Sequence, residues 1–142
     1  MTARLKGRRR EVARLLGRFA DWAATDTAVE AVILVGSYAR GAERMASDVD
    51  VVIVTSDPDR LARSDSFAPV LRGAAHLRDA RWGPVRERRY RLPSGLQVEI
   101  DLAPREWLAV PLDAGTERVL RDGYRVVYDP NGRMDATGVG AR

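Results

Sequence analysis

The hydrophobic pattern of the first half of the chain predicts a helix followed by two buried strands. One apolar face recurs at helical spacing and consists of Val12, Leu15, Leu16, Phe19, Trp22 and Ala23. Val29–Val35 and residues 49–54 are short apolar runs rich in β-branched side chains, which is typical of strands buried on both faces. Between them, residues 38–44 are predicted to form a short helix.

The middle of the chain has a different pattern, in which a pair of strands follows a less regular segment. Residues 59–80 are predicted to be helical or irregular, because Pro69 and Gly73 interrupt them. Residues 85–91 and 96–102 predict a β-hairpin, since a Pro-Ser-Gly turn separates them.

The remaining elements complete the predicted domain organisation. Residues 116–121 predict a short helix and 124–128 a last strand. The sum is an α/β (α+β) fold with a small mixed β-sheet flanked by helices. We expect a single domain over residues 1–134 and a frayed, glycine-rich tail over 135–142.

Composition excludes several classes of chemistry. The 142 residues include no cysteine and one histidine, His76, so thiol catalysis, zinc–thiolate sites and disulfides are excluded. The chain shows neither a signal peptide nor an apolar run long enough to span a membrane. These absences predict a cytoplasmic protein whose chemistry depends on carboxylates, and no membrane partner.

The net charge of +4 leaves nucleic acid as an alternative partner. Of the 24 basic residues, 23 are arginine and only Lys6 is lysine. An excess of arginine and alanine with almost no lysine is typical of a GC-rich coding sequence, and this interpretation is favoured over a selected basic patch.

A glycine-serine pair ends the first predicted strand, and it is suited to an anion. A strand that ends before a helix leaves backbone N–H groups unpaired, and these groups attract a phosphate with the help of the helix dipole. Gly36 removes the side chain that would hinder close approach, and Ser37 adds a hydroxyl donor. Gly41 permits a turn after a single helical turn. Taken alone, the pair is better explained as an ordinary turn with a helix cap.

Acidic residues of the second and hairpin strands are placed to share one site. One residue separates Asp48 from Asp50, so both carboxylates point to the same face of a strand. Asp101 alternates with apolar neighbours in the strand 96–102 in the same way. If the two strands pair, the three aspartates converge and can bind a hard cation such as Mg²⁺. Glu99 lies on the same face and is the rival ligand.

These residues carry a family resemblance. The stretch GSYARGAERMASDVDVVIV, residues 36–54, resembles the signature of the nucleotidyltransferase superfamily related to DNA polymerase beta. That signature has Gly-Ser, a short helix with a second glycine, Ser-Asp-x-Asp in an apolar strand, and a third aspartate on a later strand. The resemblance covers residues 29–54 and, more loosely, 96–102, and it implies the nucleotidyltransferase fold.

The resemblance implies a transfer of nucleoside monophosphate, with AMP from ATP as the expected case, to a hydroxyl acceptor with release of pyrophosphate. Asp48, Asp50 and Asp101 would be the catalytic and metal-binding residues and would hold two Mg²⁺ ions. Asp101 would also help to deprotonate the acceptor. Gly36 and Ser37 would bind the β- and γ-phosphates.

Two arginine positions remain open. Arg40 matches an arginine often found in the family and is either a phosphate contact or a surface residue. Arg88 or Arg89, in a basic cluster on the predicted hairpin, either lines the acceptor or triphosphate side or lies on a solvated face. The tryptophans Trp22, Trp82 and Trp107 are expected to pack, with base stacking as the alternative.

The size of the chain bears on the acceptor. Only about 40 residues follow Leu102, so the chain resembles the stand-alone minimal nucleotidyltransferases, some of which adenylylate a HEPN-type toxin. A partner chain or a second copy is expected to complete the acceptor site. The alternatives are a catalytically inactive nucleotide- or toxin-binding partner, antitoxin-like in role, and a basic nucleic-acid-binding module.

Overall fold

The architecture is that of an α+β domain in a computed structural model that describes residues 2–64 and 66–142. Its α-helices are α1 (Ala3–Ala23), α2 (Gly36–Arg40), α3 (Pro58–Ser64) and α4 (Ala114–Arg121). Its strands are β1 (Val29–Val35), β2 (Val49–Thr55), β3 (Ala75–Trp82), β4 (Val85–Arg91), β5 (Gln97–Pro104) and β6 (Arg125–Tyr128). Short 3₁₀ turns cover Ala68–Leu71, Arg105–Leu108 and Asp135–Thr137.

The strands of the described residues form one six-stranded sheet in the order β3-β4-β5-β2-β1-β6. The pairing of β2 with β5 is parallel and the other neighbouring pairs are antiparallel. The predicted mixed sheet flanked by helices is therefore confirmed, as is the predicted hairpin of β4 and β5. The strand pairing on which the convergence of the aspartates depends is also present.

One face of the sheet is covered by α1. Leu15 and Phe19 of α1 are fully buried against this face, and burial of each such side chain contributes about 1.5–3 kcal/mol. The helix α3 packs beside β4 and β5. The buried strand residues on this face include Val32, Leu34, Val49, Val51, Ile53, Val98, Ile100 and Leu102. Because side chains alternate along a strand, the neighbouring positions 50, 99 and 101 are left for the opposite face.

The opposite face is apolar at one end and open at the other. Ile33, Val52 and Ala103 pack there against Leu120 of α4 and Tyr124. The part of this face nearest β4 carries polar residues and remains accessible, so the fold leaves one patch of sheet for a site.

The prediction that residues 59–80 are helical or irregular is wrong from Ala75 onward. The segment begins with α3 and a 3₁₀ turn, but β3 starts at Ala75 and pairs with β4. β3 is an edge strand whose residues are almost all exposed, so its sequence lacks the alternation by which a half-buried strand is recognised. Met1 of the predicted domain and Asp65 of this segment lie outside the described residues.

The C-terminal tail, predicted to fray, contacts the rest of the domain. The backbone N–H of Arg142 donates to the carbonyl of Tyr124 at 2.8 Å. Val139 is buried, and its carbonyl accepts a hydrogen bond from the Tyr124 hydroxyl at 2.6 Å. Among the described residues, no helix is both long enough and apolar enough to cross a bilayer.

Candidate active site

The acidic residues of three neighbouring strands form a cluster on the open part of the sheet. Asp50 of β2 lies opposite Glu99 of β5, and Asp101 of β5 lies opposite Val52. On the other side of β5, Glu87 of β4 lies opposite Asp101. Oxygen atoms of Glu87, Glu99 and Asp101 all lie within 4.8 Å of one another, which is close enough to share a metal ion.

Asp50, Glu99 and Asp101 of the cluster line a cleft of about 900 Å³. The floor of the cleft is the sheet, one wall is the β3–β4 turn, and the other wall is the 105–108 turn with α4. Its lining residues include Gly36, Arg40, Asp50, Trp82, Glu99, Asp101, Trp107 and Thr116. The structure thus brings Asp50 and Asp101 into one cleft, together with the rival ligand Glu99.

Asp48 is placed differently from the other two predicted aspartates. It precedes β2 and does not line the cleft among the described residues. Its Oδ2 accepts a hydrogen bond from Arg89 at 2.6 Å, and the same guanidinium donates to Glu99 at 2.8 Å. Asp48 is therefore connected to the cluster through an arginine.

Glu87 is a site residue that the sequence analysis missed. It is 5% exposed, and its carboxylate accepts hydrogen bonds from the Trp82 indole at 3.1 Å and from Arg78 at 3.2 Å. The signal that could have found it is hairpin register, because a turn centred on residues 93–95 places position 87 opposite Asp101.

Burial and mutual repulsion favour the protonated forms of the clustered carboxyls. Burial, together with the charges of Glu99 and Asp48, raises the pKa of Asp50 to about 7. Burial, with the charges of Glu99 and Glu87, raises the pKa of Asp101 to about 8. The pKa of Glu99 is also raised, mainly by burial and next by the charge of Glu87. A bound cation would have the opposite effect, because it stabilises the ionised forms of these carboxyls.

Gly36 lies directly against this cluster. Its φ is +75°, and a Cβ atom at this position would lie 2.2 Å from Oδ2 of Asp50. Ser37 follows it in the first turn of α2 and is half-buried, and Arg40 ends the helix at the cleft wall. The predicted helix over 38–44 is in fact Gly36–Arg40, since Gly41 ends it in the left-handed conformation.

Comparison with known families places these residues in a wider context. Residues 16–116 match the sequence profile of a family described as the nucleotidyltransferase domain. The match covers 101 of the 142 residues and includes the glycine-serine turn and all four clustered carboxyls. The chain belongs to the nucleotidyltransferase domain family. A search of curated proteins gave no match.

The acidic cluster of this nucleotidyltransferase domain fits a hard divalent cation. Oδ1 of Asp101 is buried and has no hydrogen-bond partner among the described residues. Carboxylate oxygens are the ligands that Mg²⁺ prefers, and an unpartnered buried oxygen is stabilised when a cation binds it. The oxygens close enough to share one ion belong to Glu87, Glu99 and Asp101, and Asp50 lies opposite Glu99 in the same cleft.

The other residues singled out by sequence separate into packing and site residues. Phe19 and Trp22 pack with Phe67 on the α1 side of the sheet, so the packing interpretation is confirmed for them. Trp82 is 64% exposed at the cleft. Of the two hairpin arginines, Arg88 faces away from the cluster, where it donates to Asp79 and to the carbonyl of Ala62. Arg89 contacts the cluster.

Proposed function

We propose that this nucleotidyltransferase domain moves a nucleoside monophosphate, AMP from ATP, to a hydroxyl acceptor and releases pyrophosphate with the help of Mg²⁺. The observation that carries the proposal is the meeting of Asp50 and Asp101 in one cleft, beside the glycine that begins α2. The unpartnered Oδ1 of Asp101 supports it, because that oxygen needs a partner.

When bound, Mg²⁺ would stabilise negative charge on the phosphate oxygens and on the attacking and leaving oxygens. Asp50 and Asp101 would hold it, with Asp48 as the third ligand implied by the family signature. The acceptor oxygen forms a bond to the α-phosphorus, and the bond to the pyrophosphate oxygen breaks. The hydroxyl proton passes to the carboxylate of Asp101, which a bound cation would keep ionised and able to accept it.

The triphosphate is assigned to the end of the cleft formed by α2. Gly36 and Ser37 provide the turn, and Arg40 is the one cationic residue among the described residues that line the cleft. An exposed arginine at this position can bind phosphate oxygens in a bidentate manner. The acidic cluster next to it would repel a triphosphate unless a divalent cation lay between them, which is a further reason to include Mg²⁺.

The acceptor is assigned to the outer part of the cleft, between Trp82 and α4. This part is wide and open enough for a hydroxyl on a macromolecule, so we propose a partner protein, such as a HEPN-type toxin, as the acceptor. A small-molecule hydroxyl and a nucleic-acid end are the other acceptors to be tested.

A second candidate is a nucleotide- or toxin-binding partner without catalysis. One observation favours it: Asp48, the first carboxylate of the family signature, is bound by Arg89 and does not line the cleft. Under this hypothesis the chain binds nucleotide but transfers nothing.

Labelled ATP distinguishes the two candidates. The chain is incubated with Mg²⁺ and the acceptor panel, once with ATP labelled at the α-phosphate and once at the γ-phosphate. We expect label to reach the acceptor from the α-position only, and Asp50→Asn and Asp101→Asn to reduce the transfer at least about a thousandfold. The control is Asp59→Asn, which removes an exposed carboxylate on α3. Transfer that survives in the Asp50→Asn, Asp101→Asn double variant would overturn the proposal.

A further inference from the structure

Arg89 makes a bridge that the family signature does not require. Its NH1 donates to Oδ2 of Asp48 at 2.6 Å and its NH2 to Oε1 of Glu99 at 2.8 Å. Glu99 lies beside Asp50 in the register of the sheet, so the bridge links Asp48 to the row that contains Asp50. One guanidinium thus binds two carboxylates of the acidic site.

The surroundings of Arg89 make this bridge more than a surface ion pair. The side chains of Arg89 and Glu99 are 17% and 18% exposed, so water screens their interaction only in part. The Nε of Arg89 is buried and has no hydrogen-bond partner among the described residues. Hydrogen bonding to Asp48 raises the pKa of Arg89, so the group stays charged.

The bridge and a divalent cation compete for the same oxygens. Arg89 holds Oδ2 of Asp48 at 2.6 Å, and the positive charge of its guanidinium opposes a cation bound to the same carboxylate. Asp48 is the most exposed of the three groups, at 36%, and it lies before the first residue of β2. It is therefore the group that can exchange, whereas Glu99 is fixed within β5.

We propose that Arg89 is a positioning residue that competes with a divalent cation for Asp48, so that cation binding transfers this carboxylate from the guanidinium to the ion. The inference rests on the proposed function for the presence of a cation site. Arg89 then lowers the affinity of the empty site for divalent cations and holds Asp48 within reach of the cluster.

The test measures binding of Mn²⁺ alone, from the electron paramagnetic resonance signal of the free ion, without nucleotide or acceptor. Arg89→Gln should bind Mn²⁺ about tenfold more tightly than the native chain, because a competing charge a few ångströms away is removed. Arg89→Lys keeps the charge but loses the two-pronged geometry, and it should give a smaller gain. Arg91→Gln, which removes the same charge from an exposed position on β4, should stay within about twofold of native.

A double-mutant cycle with Asp48→Asn assigns the effect to Asp48. If the two groups compete as proposed, the gain from Arg89→Gln falls to about twofold in the Asp48→Asn background. A gain that persists in full would mean a general charge effect and would overturn the inference. Weaker or unchanged binding in Arg89→Gln would also overturn it, because Arg89 would then be a purely structural support.

The outcome is separable from that of the proposed function. Circular dichroism establishes whether each variant is folded. If Arg89→Gln does not fold, the double-mutant cycle with Asp48→Asn is measured with Arg89→Lys instead. If the native chain binds no Mn²⁺ but Arg89→Gln does, the inference holds and the site is shown to be blocked by Arg89. If neither binds Mn²⁺, the inference fails, whereas label transfer remains the test of the function.

Discussion

The carboxylate of Asp50 occupies the space that a side chain at position 36 would need. A Cβ atom on Gly36 would lie 2.2 Å from Oδ2 of Asp50, and the backbone of Gly36 has a φ of +75°. The glycine that begins α2 is thus required by the acidic residue on β2. The same contact places the first turn of α2 next to the candidate metal site.

This relationship predicts an unequal effect of two glycine substitutions. Gly36→Ala should lower the free energy of unfolding by about 2–4 kcal/mol, because backbone strain adds to a steric clash. Gly41→Ala has a similar φ of +71° but open space around the new methyl group, so it should cost only about 1 kcal/mol. Urea denaturation measures both, and a Gly36→Ala cost no larger than that of Gly41→Ala would contradict the clash.

A pH dependence of stability follows from the raised pKa values of the cluster. The pKa of Asp50 rises from 3.8 to about 7, and that of Asp101 from 3.8 to about 8. Both carboxyls hold their protons more tightly in the folded state, so the metal-free chain should lose stability as the pH rises from about 4 to 8.

Asp101→Asn should flatten this dependence and stabilise the metal-free chain at pH 8.5 by about 1–3 kcal/mol, since no buried charge forms. Urea denaturation in EDTA at pH 5, 7 and 8.5 measures the change, with the exposed Asp59→Asn as the control. A profile that Asp101→Asn leaves unchanged would mean that this carboxyl does not titrate in that range.

Two substitutions can show whether Asp101 or Glu87 binds the metal ion. The two residues lie opposite each other on β5 and β4. Glu87 already accepts hydrogen bonds from Trp82 and Arg78, whereas Oδ1 of Asp101 has no partner among the described residues. Asp101→Asn should therefore weaken Mn²⁺ binding by about tenfold or more, and Glu87→Gln by less than about threefold. Calorimetric titration measures both, and the reverse order would make Glu87 the ligand.

The C-terminal contact gives a prediction that is independent of the site. Tyr124→Phe removes a buried hydrogen bond to the carbonyl of Val139, which should cost about 1–2 kcal/mol. Tyr128→Phe is the matched control, because Tyr128 is only partly buried on β6, and its cost should stay below about 0.5 kcal/mol. Equal costs would indicate that the tail does not stabilise the domain in solution.

Most of the central sheet could be predicted because its strands have a strong sequence signal. The apolar runs of β1 and β2 are buried on both faces, and β5 alternates apolar and acidic positions in register with its burial. The edge strand β3 could not be predicted in the same way. Its stability depends on backbone pairing with β4, and exposed side chains leave no periodicity to detect.

The site was predictable in its residue types and only partly in its arrangement. Spacing along β2 and β5 places Asp50 and Asp101 on a common face, and the parallel pairing brings them into one cleft. Glu87 could have been found from the register of the hairpin around residues 93–95. The contact of Arg89 with Asp48 could not be predicted, because it joins β4 to the residue before β2, far away in the chain.

The sequence by itself determined the periodicity of the main elements, the glycine-serine turn and the alternation that keeps acidic side chains off the α1 face. These are properties of neighbouring residues, and local sterics and hydrophobic burial are enough to set them. Only the tertiary structure decided which charges face one another across the strands. The balance of repulsion and pairing among Asp48, Arg89 and Glu99 depends on distances between strands that lie far apart in the chain.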